Sequence, residues 1–401
     1  MTTMPWSRTS TAWPPPMHRI THIRLPEPLN KAVDTKLWWM ALDEHERVLS
    51  VQPMADGSAM DGESWQGDWL SPMGIDLQIN GGLGLAFPEL TAKDIPQLLK
   101  LLDRLWQDGV QAICPTLVSC GVAALRQSLT VLHAARAQHC PQRCELLGTH
   151  LEGPFLATAR HGAHPLEHLC APSLRALDER IRGFEQDISL MTLAPELPGS
   201  SEVIERLRTL GIVICLGHSN ADGQASADAF SQGVGMLTHS FNAMPGLHHR
   251  AAGPVGEACM HGEIAMGLIA DGVHVDPTMA VLLQRLAPQQ LVLVSDSLAP
   301  YGLKDGKYRW DERVLLVEKG TCRLEDGTLA GVTLPLLEGS RRLATWSGEP
   351  AAAIWAATMA PRQVMGNGRP LHELLVNQPL TDLLRWQWKP DTEELIWKHA
   401  A

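Results

Sequence analysis

The sequence predicts an α/β fold: a (β/α)8 TIM-like barrel with a small β-sandwich-like accessory domain built from both termini. Two observations carry this. Between residue 72 and about residue 300, eight short apolar, β-branched runs alternate with amphipathic stretches, and each flank holds further strand-like pieces too short to form a core alone. Eight strands mostly separated by helical segments favour a closed parallel barrel over an open doubly wound sheet.

In chain order the candidate barrel strands are Ile75–Ile79, Val110–Thr116, Glu145–Leu151, Ile188–Leu193, Gly211–His218, Val234–His239, Ile264–Ala270 and Leu291–Asp296. The stretch after the first strand reads as a helix. Thr91 caps it, Asp94 stands three residues on, and Pro96 is tolerated in the first turn. Ile95, Leu98, Leu99, Leu102 and Leu105 then recur at helical spacing until Asp108-Gly109 stops it. Residues 303–326 read as a β-rich excursion after the eighth strand. In the flanks, Arg19–Leu25, Leu37–Leu42, Val48–Val51, Leu384–Gln387 and Glu394–Lys398 look like strands that pair with one another beside the barrel. The expected division is a flexible extension over 1–17, an accessory domain from 18–71 and part of 335–401, and a hydrolase barrel over 72–334.

Composition narrows the function. Of 401 residues 45% are hydrophobic, enough for a large core, and 33 basic against 44 acidic side chains give a net charge of −11. No Lys/Arg run breaks that balance, which argues against a nucleic-acid partner. The eight cysteines are scattered without a C-x-x-C pair, as expected of reduced thiols. The start of the chain, with Pro14-Pro15-Pro16, lacks the apolar segment of a signal peptide, and no apolar run is long enough to span a membrane. A cytoplasmic protein with no membrane partner is expected.

Polar residues collect where the predicted strands end, the position at which such barrels carry their active sites. Glu152 ends the third strand, His218 the fifth, His239 the sixth and Asp296 the eighth. One histidine at a strand end is more often a hydrogen-bonded loop residue, but three candidate ligands on three strands, with Asp296 on a fourth, are harder to dismiss. Two imidazoles and a carboxylate can hold a zinc-like ion and leave an open position, as catalytic sites require. Asp296 is placed to relay a proton to a leaving nitrogen; the alternative is that it caps the turn into Ala299-Pro300. Gln78 and Asn80 end the first strand and face the substrate, or else only satisfy loop backbone.

The motifs form an ordered set from residue 74 to 331. They are Gly74-Ile75-Asp76-Leu77-Gln78-Ile79-Asn80-Gly81, His150-Leu151-Glu152-Gly153-Pro154-Phe155, Thr192-Leu193-Ala194-Pro195-Glu196 and Gly217-His218-Ser219-Asn220-Ala221. Thr238-His239-Ser240-Phe241-Asn242-Ala243-Met244-Pro245, Ala270-Asp271-Gly272-Val273-His274, Ser295-Asp296-Ser297-Leu298-Ala299-Pro300 and Gly327-Thr328-Leu329-Ala330-Gly331 complete it. The set resembles the N-acetylglucosamine-6-phosphate deacetylases of the amidohydrolase superfamily. The resemblance implies that Glu152, His218 and His239 are metal ligands and Asp296 the catalytic acid/base. It implies that His164 orients or polarises the acetamide carbonyl, and that Ala163, Asn242, Ala243, Leu329, Ala330 and Gly331 contact substrate. Arg250 and His274 match positions near the sugar phosphate, with the arginine reaching across from a neighbouring subunit, so a homodimer is implied. The implied substrate is a phosphorylated N-acetyl amino sugar. A guanidinium suits a phosphate because its planar fork donates two hydrogen bonds.

The first strand departs from the superfamily, which usually ends it His-x-His around a second metal. Neutral amides are poor zinc ligands, and a subgroup of the deacetylases resembles this chain in carrying Gln-x-Asn and working with one ion. One divalent ion is therefore expected, zinc first, with iron, manganese or cobalt tolerated. The fourth strand offers no bridging lysine, in agreement. Ala251-Ala252 replace the usual Glu-Pro, Val332-Thr333 replace a small pair, and the C-terminal motif is degraded around Leu380–Trp386; these bear on substrate preference and the accessory unit. Two alternatives stand beside the deacetylase: an amidohydrolase for another N-acyl amino sugar or a cyclic amide, and a catalytically silent amidohydrolase-like binding protein.

Overall fold

The structure is a computed structural model, and it describes residues 18–28, 36–55 and 60–401. The expected N-terminal extension over 1–17 lies outside the described residues.

Eight parallel strands form the barrel: β1 Gly74–Ile79, β2 Val110–Val118, β3 Thr149–Glu152, β4 Ile188–Leu193, β5 Val213–Leu216, β6 Val234–Leu237, β7 Ala265–Leu268 and β8 Leu291–Leu293. Each pairs with its sequence neighbour from β1 through β8. Alternation builds two layers. Leu190, Cys215 and Met236 share one apolar cluster, whereas Met191, Ile214 and Leu237 pack in another with the surrounding helices.

The seam between β1 and β8 is closed by polar groups at the end where the candidate residues lie. The Asp296 amide donates to the Gln78 carbonyl at 2.8 Å, the Asn80 amide to the Ser297 carbonyl at 2.7 Å, and the Ser295 amide to Asp76 Oδ1 at 3.1 Å. Helices Pro350–Thr358 and Ala360–Val364 contact both strands from outside.

The helix after β1 follows its sequence signals. Thr91 and Asp94 form the capping box, with the Thr91 amide donating to Asp94 Oδ2 at 2.8 Å, and the helix runs Ile95–Gln107. Leu98, Leu101, Leu102 and Leu105 are buried against the barrel, each such burial worth about 1.5–3 kcal/mol; Leu99 is only half-buried. Gly109 ends the connection at φ +82, and a Cβ there would lie 2.4 Å from a Leu337 methyl, so both conformation and space call for glycine.

The flanks form two sheets. His18–Ile23, Trp38–Leu42, Val48–Pro53 and Glu63–Ser64 make one, and the C-terminal hairpin Leu383–Lys389/Glu394–His399 pairs with Trp69–Pro72 in the other. Ile20, Met40, Val51, Leu70, Leu375 and Leu383 share one core. The excursion after β8 is an antiparallel sheet of Gly306–Trp310, Arg313–Glu318, Thr321–Leu324 and Leu329–Val332. Among the described residues no helix is long and apolar enough to cross a membrane.

Candidate active site

The C-terminal ends of the strands surround a cavity of about 330 Å³. Glu152, His218 and His239 meet in it, all buried. Glu152 Oε1 lies 3.0 Å from His239 Nε2 and 3.2 Å from His218 Nε2, and the two imidazole nitrogens are 3.1 Å apart. His218 donates its Nδ1 proton to the Arg160 carbonyl at 2.8 Å, leaving Nε2 bare in the neutral ring. Three electron-pair donors thus face one small volume. A tetrahedral ion with bonds of about 2.0–2.1 Å sets its ligand atoms roughly 3.3 Å apart, close to these separations, so the residues present fit one divalent ion.

The backbone pays conformational energy to aim these groups. His218 has φ +49, His239 φ +28 and Asp296 φ +51, a region that non-glycine residues occupy at about 1–3 kcal/mol each and chiefly at functional sites. Glu196 holds the turn after His218, accepting from Ser219 Oγ and the Asn220 amide, both at 2.6 Å. Beneath the site, His150 Nε2 and Thr192 Oγ1 are 2.7 Å apart, and Thr192 Oγ1 and Thr238 Oγ1 another 2.7 Å. That chain ties β3 to β4 and to the end of β6.

Asp296 stands beside the group. Asn80 Nδ2 donates to its Oδ1 at 2.6 Å, and Gln78 Nε2 bridges Asp296 Oδ1 at 3.3 Å and Glu152 Oε1 at 3.2 Å. The amide nitrogens of Gln78 and Asn80 are therefore committed to the two carboxylates. Burial, and then the Glu152 charge, push the Asp296 carboxyl above its ordinary range. Burial would do the same to Glu152, but the His218 and His239 imidazoles packed against it hold its carboxyl well below.

His164 is buried, with Nε2 3.8 Å from Glu152 Oε2. The Ser119 amide donates to its Nδ1 at 3.2 Å, which leaves the neutral ring's proton on Nε2, facing the cavity. Burial, reinforced by the neighbouring His218, lowers its pKa to about 3. The group is therefore a neutral hydrogen-bond donor.

Asn80, Ala163, His164, Asn242, Ala243, His274, Leu329 and Ala330 line the cavity with the ligand set and Asp296. His274 Nδ1 lies 2.8 Å from Asp271 Oδ2. Gly331 lies behind the lining, where a Cβ would come within 2.7 Å of the Asp296 carbonyl oxygen. Gln78 is buried below the cavity, and Arg250 is not brought to it: it is exposed, with Nη1 2.7 Å from His249 Nε2. Sequence reasoning missed Arg160 and Trp310, which line the cavity, and Ser119 and Glu196, which hold His164 and the His218 turn. Glu196 lay inside a quoted motif; the others carry no local signal. A larger hollow of about 530 Å³ opens at the barrel's other end, but its lining holds one carboxylate, Glu263, and no histidine or cysteine, so it lacks this chemistry.

The N-acetylglucosamine-6-phosphate deacetylase of Bos taurus is 35% identical over 309 residues, 74% of this chain and 74% of its own. The chain belongs to the N-acetylglucosamine-6-phosphate deacetylase family. The N-acetylgalactosamine-6-phosphate deacetylase of Escherichia coli is 32% identical over 74% of this chain and 78% of its own. Among solved structures, the deacetylase of Thermotoga maritima superposes with a TM-score of 0.77 at 25% identity, covering 94% of this chain and 96% of that one. A dihydroorotase superposes with a TM-score of 0.51 at 12% identity, over 92% of this chain and 88% of that one, sharing the fold alone. No family profile matches the chain. The family is one of hydrolases, and the buried Glu/His/His group suits its metal dependence.

Proposed function

We propose that the protein hydrolyses the acetamide of N-acetylglucosamine 6-phosphate, giving glucosamine 6-phosphate and acetate, with one divalent ion per site. The observation that carries this is the convergence of Glu152, His218 and His239 with Asp296 in one cavity, the Gln78 and Asn80 amide nitrogens committed to the carboxylates. Amides stand where a histidine pair would hold a second ion, which supports a mononuclear site. Glu152, His218 and His239 would hold zinc, or iron, manganese or cobalt, which when bound supplies Lewis acidity to the water and the amide carbonyl.

The chain's own groups supply the rest. His164 donates its Nε2 proton to the carbonyl oxygen, which gains negative charge as the water oxygen bonds to carbon. Asp296 takes the proton released by that water and passes it to the nitrogen as the C–N bond breaks. Burial, and then Glu152, raise its carboxyl above the ordinary range, so it holds a proton more readily, as a group that both accepts and gives one requires. Asn80 and Gln78 fix its orientation. Ala163, Asn242, Ala243, His274 and the Leu329–Gly331 turn are read as substrate contacts.

Arg250, exposed and outside its own cavity, is read as serving the phosphate in the neighbouring site of a homodimer. Eight free cysteines, four of them buried, support a cytoplasmic location. The same reading divides the chain into the accessory unit over 18–71 and part of 335–401 and the barrel over 72–334. Because relatives are named for both the glucosamine and the galactosamine sugar, the test is an acetate-release assay across N-acetylated glucosamine, galactosamine and mannosamine 6-phosphates, with metal content measured on the same preparation. The reading predicts the highest kcat/KM for the glucosamine compound; release from none of them overturns it.

A further inference from the structure

The two sides of the cavity differ in chemistry. Asn242 after β6 and His274 after β7 give one side of the cavity its polar side chains. Across the mouth, Val118 at the end of β2, Ala163 after β3, and Leu298 and Trp310 after β8 line the wall and belong to one apolar cluster. Trp310 is 6% exposed. The Arg313 guanidinium lies over its ring, 4.6 Å from the centroid. That guanidinium also donates to the Ala163 carbonyl at 2.7 Å and pairs with Asp311 at 2.6 Å. The indole is therefore pinned beside the residue that precedes His164.

An amide substrate has two arms. Its reacting carbonyl belongs among Glu152, His164, His218, His239 and Asp296; the nitrogen leads to the sugar and the carbonyl carbon to the acyl chain. With the sugar phosphate toward Asn242 and His274, the acyl arm extends the opposite way, into the apolar wall. We propose that Val118, Ala163, Leu298 and Trp310 form an acyl-binding pocket, and that Trp310 closes its far end and confines the enzyme to short N-acyl groups. The proposal rests on the deacetylase reading above and adds to it the residue that sets acyl length. A methyl group gains by burial there, whereas a longer chain must displace an indole locked by Arg313 and the cluster, and packed walls resist added methylenes.

The test measures kcat/KM, by release of the common amine product, for N-acetyl, N-propionyl and N-butyryl glucosamine 6-phosphate. The wild type, Trp310→Ala and the milder Trp310→Leu and Trp310→Phe are compared, each checked for a cooperative melting transition. The wild type is expected to lose roughly tenfold or more per added methylene, in line with what one methylene is worth in an apolar pocket. Trp310→Ala and Trp310→Leu should shrink the acetyl-to-butyryl ratio at least about tenfold, Trp310→Phe less. A ratio within about twofold of wild type in the folded variants overturns the pocket and leaves the deacetylase reading standing. A wild type inactive on the N-acetyl compound overturns both.

Discussion

Two regions of the barrel, a few residues apart along the same strands, are built on opposite principles. In the body of the barrel Leu190, Cys215 and Met236 pack in an apolar cluster. Two residues further along β4, and just past β6, Thr192 and Thr238 are hydrogen-bonded to each other, and beyond them stand His218, His239 and Asp296 on left-handed backbone. The body is stabilised by many interchangeable contacts. The mouth has few groups, each buried, each oriented by one or two named partners, and several held in conformations that cost energy. Stability should therefore reside in the first region and turnover in the second, and substitutions can separate them.

The largest effect is expected from Asp296→Asn. The variant should fold and bind metal with the wild-type melting temperature while kcat drops by roughly 10²–10⁴, the usual contribution of a positioned acid/base. Loss of less than about tenfold would remove Asp296 from the proton relay. Leu190→Ala is the converse experiment: denaturant unfolding should show a loss of about 2–5 kcal/mol, with kcat per folded molecule unchanged within about twofold. A large fall in kcat there would mean that body and mouth are not separable.

Arg250→Ala tests a group from outside the mouth. KM for the phosphorylated sugar should rise about tenfold or more, as for a lost charge-assisted hydrogen bond. Mixing this variant with Asp296→Asn, then dissociating and reassociating subunits, should restore activity above either parent, since a mixed dimer holds one complete site. No recovery would argue that Arg250 acts within its own subunit, or not at all.

Asp76 tests the smallest difference, because it is a buried carboxyl on the β1/β8 seam, where the body gives way to the mouth. Burial raises its pKa to about 7, against hydrogen bonds from Ser295 and Gln78. The folded state then holds a proton that the unfolded state releases near the ordinary value of 3.8, so this group makes stability fall as pH rises from about 4 to 7 and level off above. Asp76→Asn should flatten that slope in urea titrations across the range; an unchanged slope would assign it elsewhere.

These regions were also unequally legible. The eight strands follow from β-branched runs, because burying a strand on both faces leaves a continuous apolar signature. Their ends did not: Gly211–His218 contracts to Val213–Leu216, and Glu145–Leu151 divides around Gly148 into Glu145–Leu146 and β3, since strand ends are set by neighbours. The metal group and Asp296 were visible as polar residues at strand ends. Trp310 and Arg160 were not, because what brings them to the cavity is the path of a hairpin and a loop, and no periodicity encodes that. Five flanking strands were visible individually, but Trp69–Pro72 was not, and it is the strand that the C-terminal hairpin joins: Trp386 pairs with Trp69, more than 300 residues away. Such pairing depends on where the barrel delivers the two ends.

The central claim is that the mouth holds one ion, with Gln78 and Asn80 serving Asp296 and Glu152 where a second ion's ligands would stand. Chelator-stripped protein reloaded with increasing zinc, with bound metal and acetate release measured at each step, tests it directly. The account predicts activity that rises linearly and saturates at one equivalent per chain. Saturation only at two equivalents, or half-maximal activity at one with a second tight site, would contradict it.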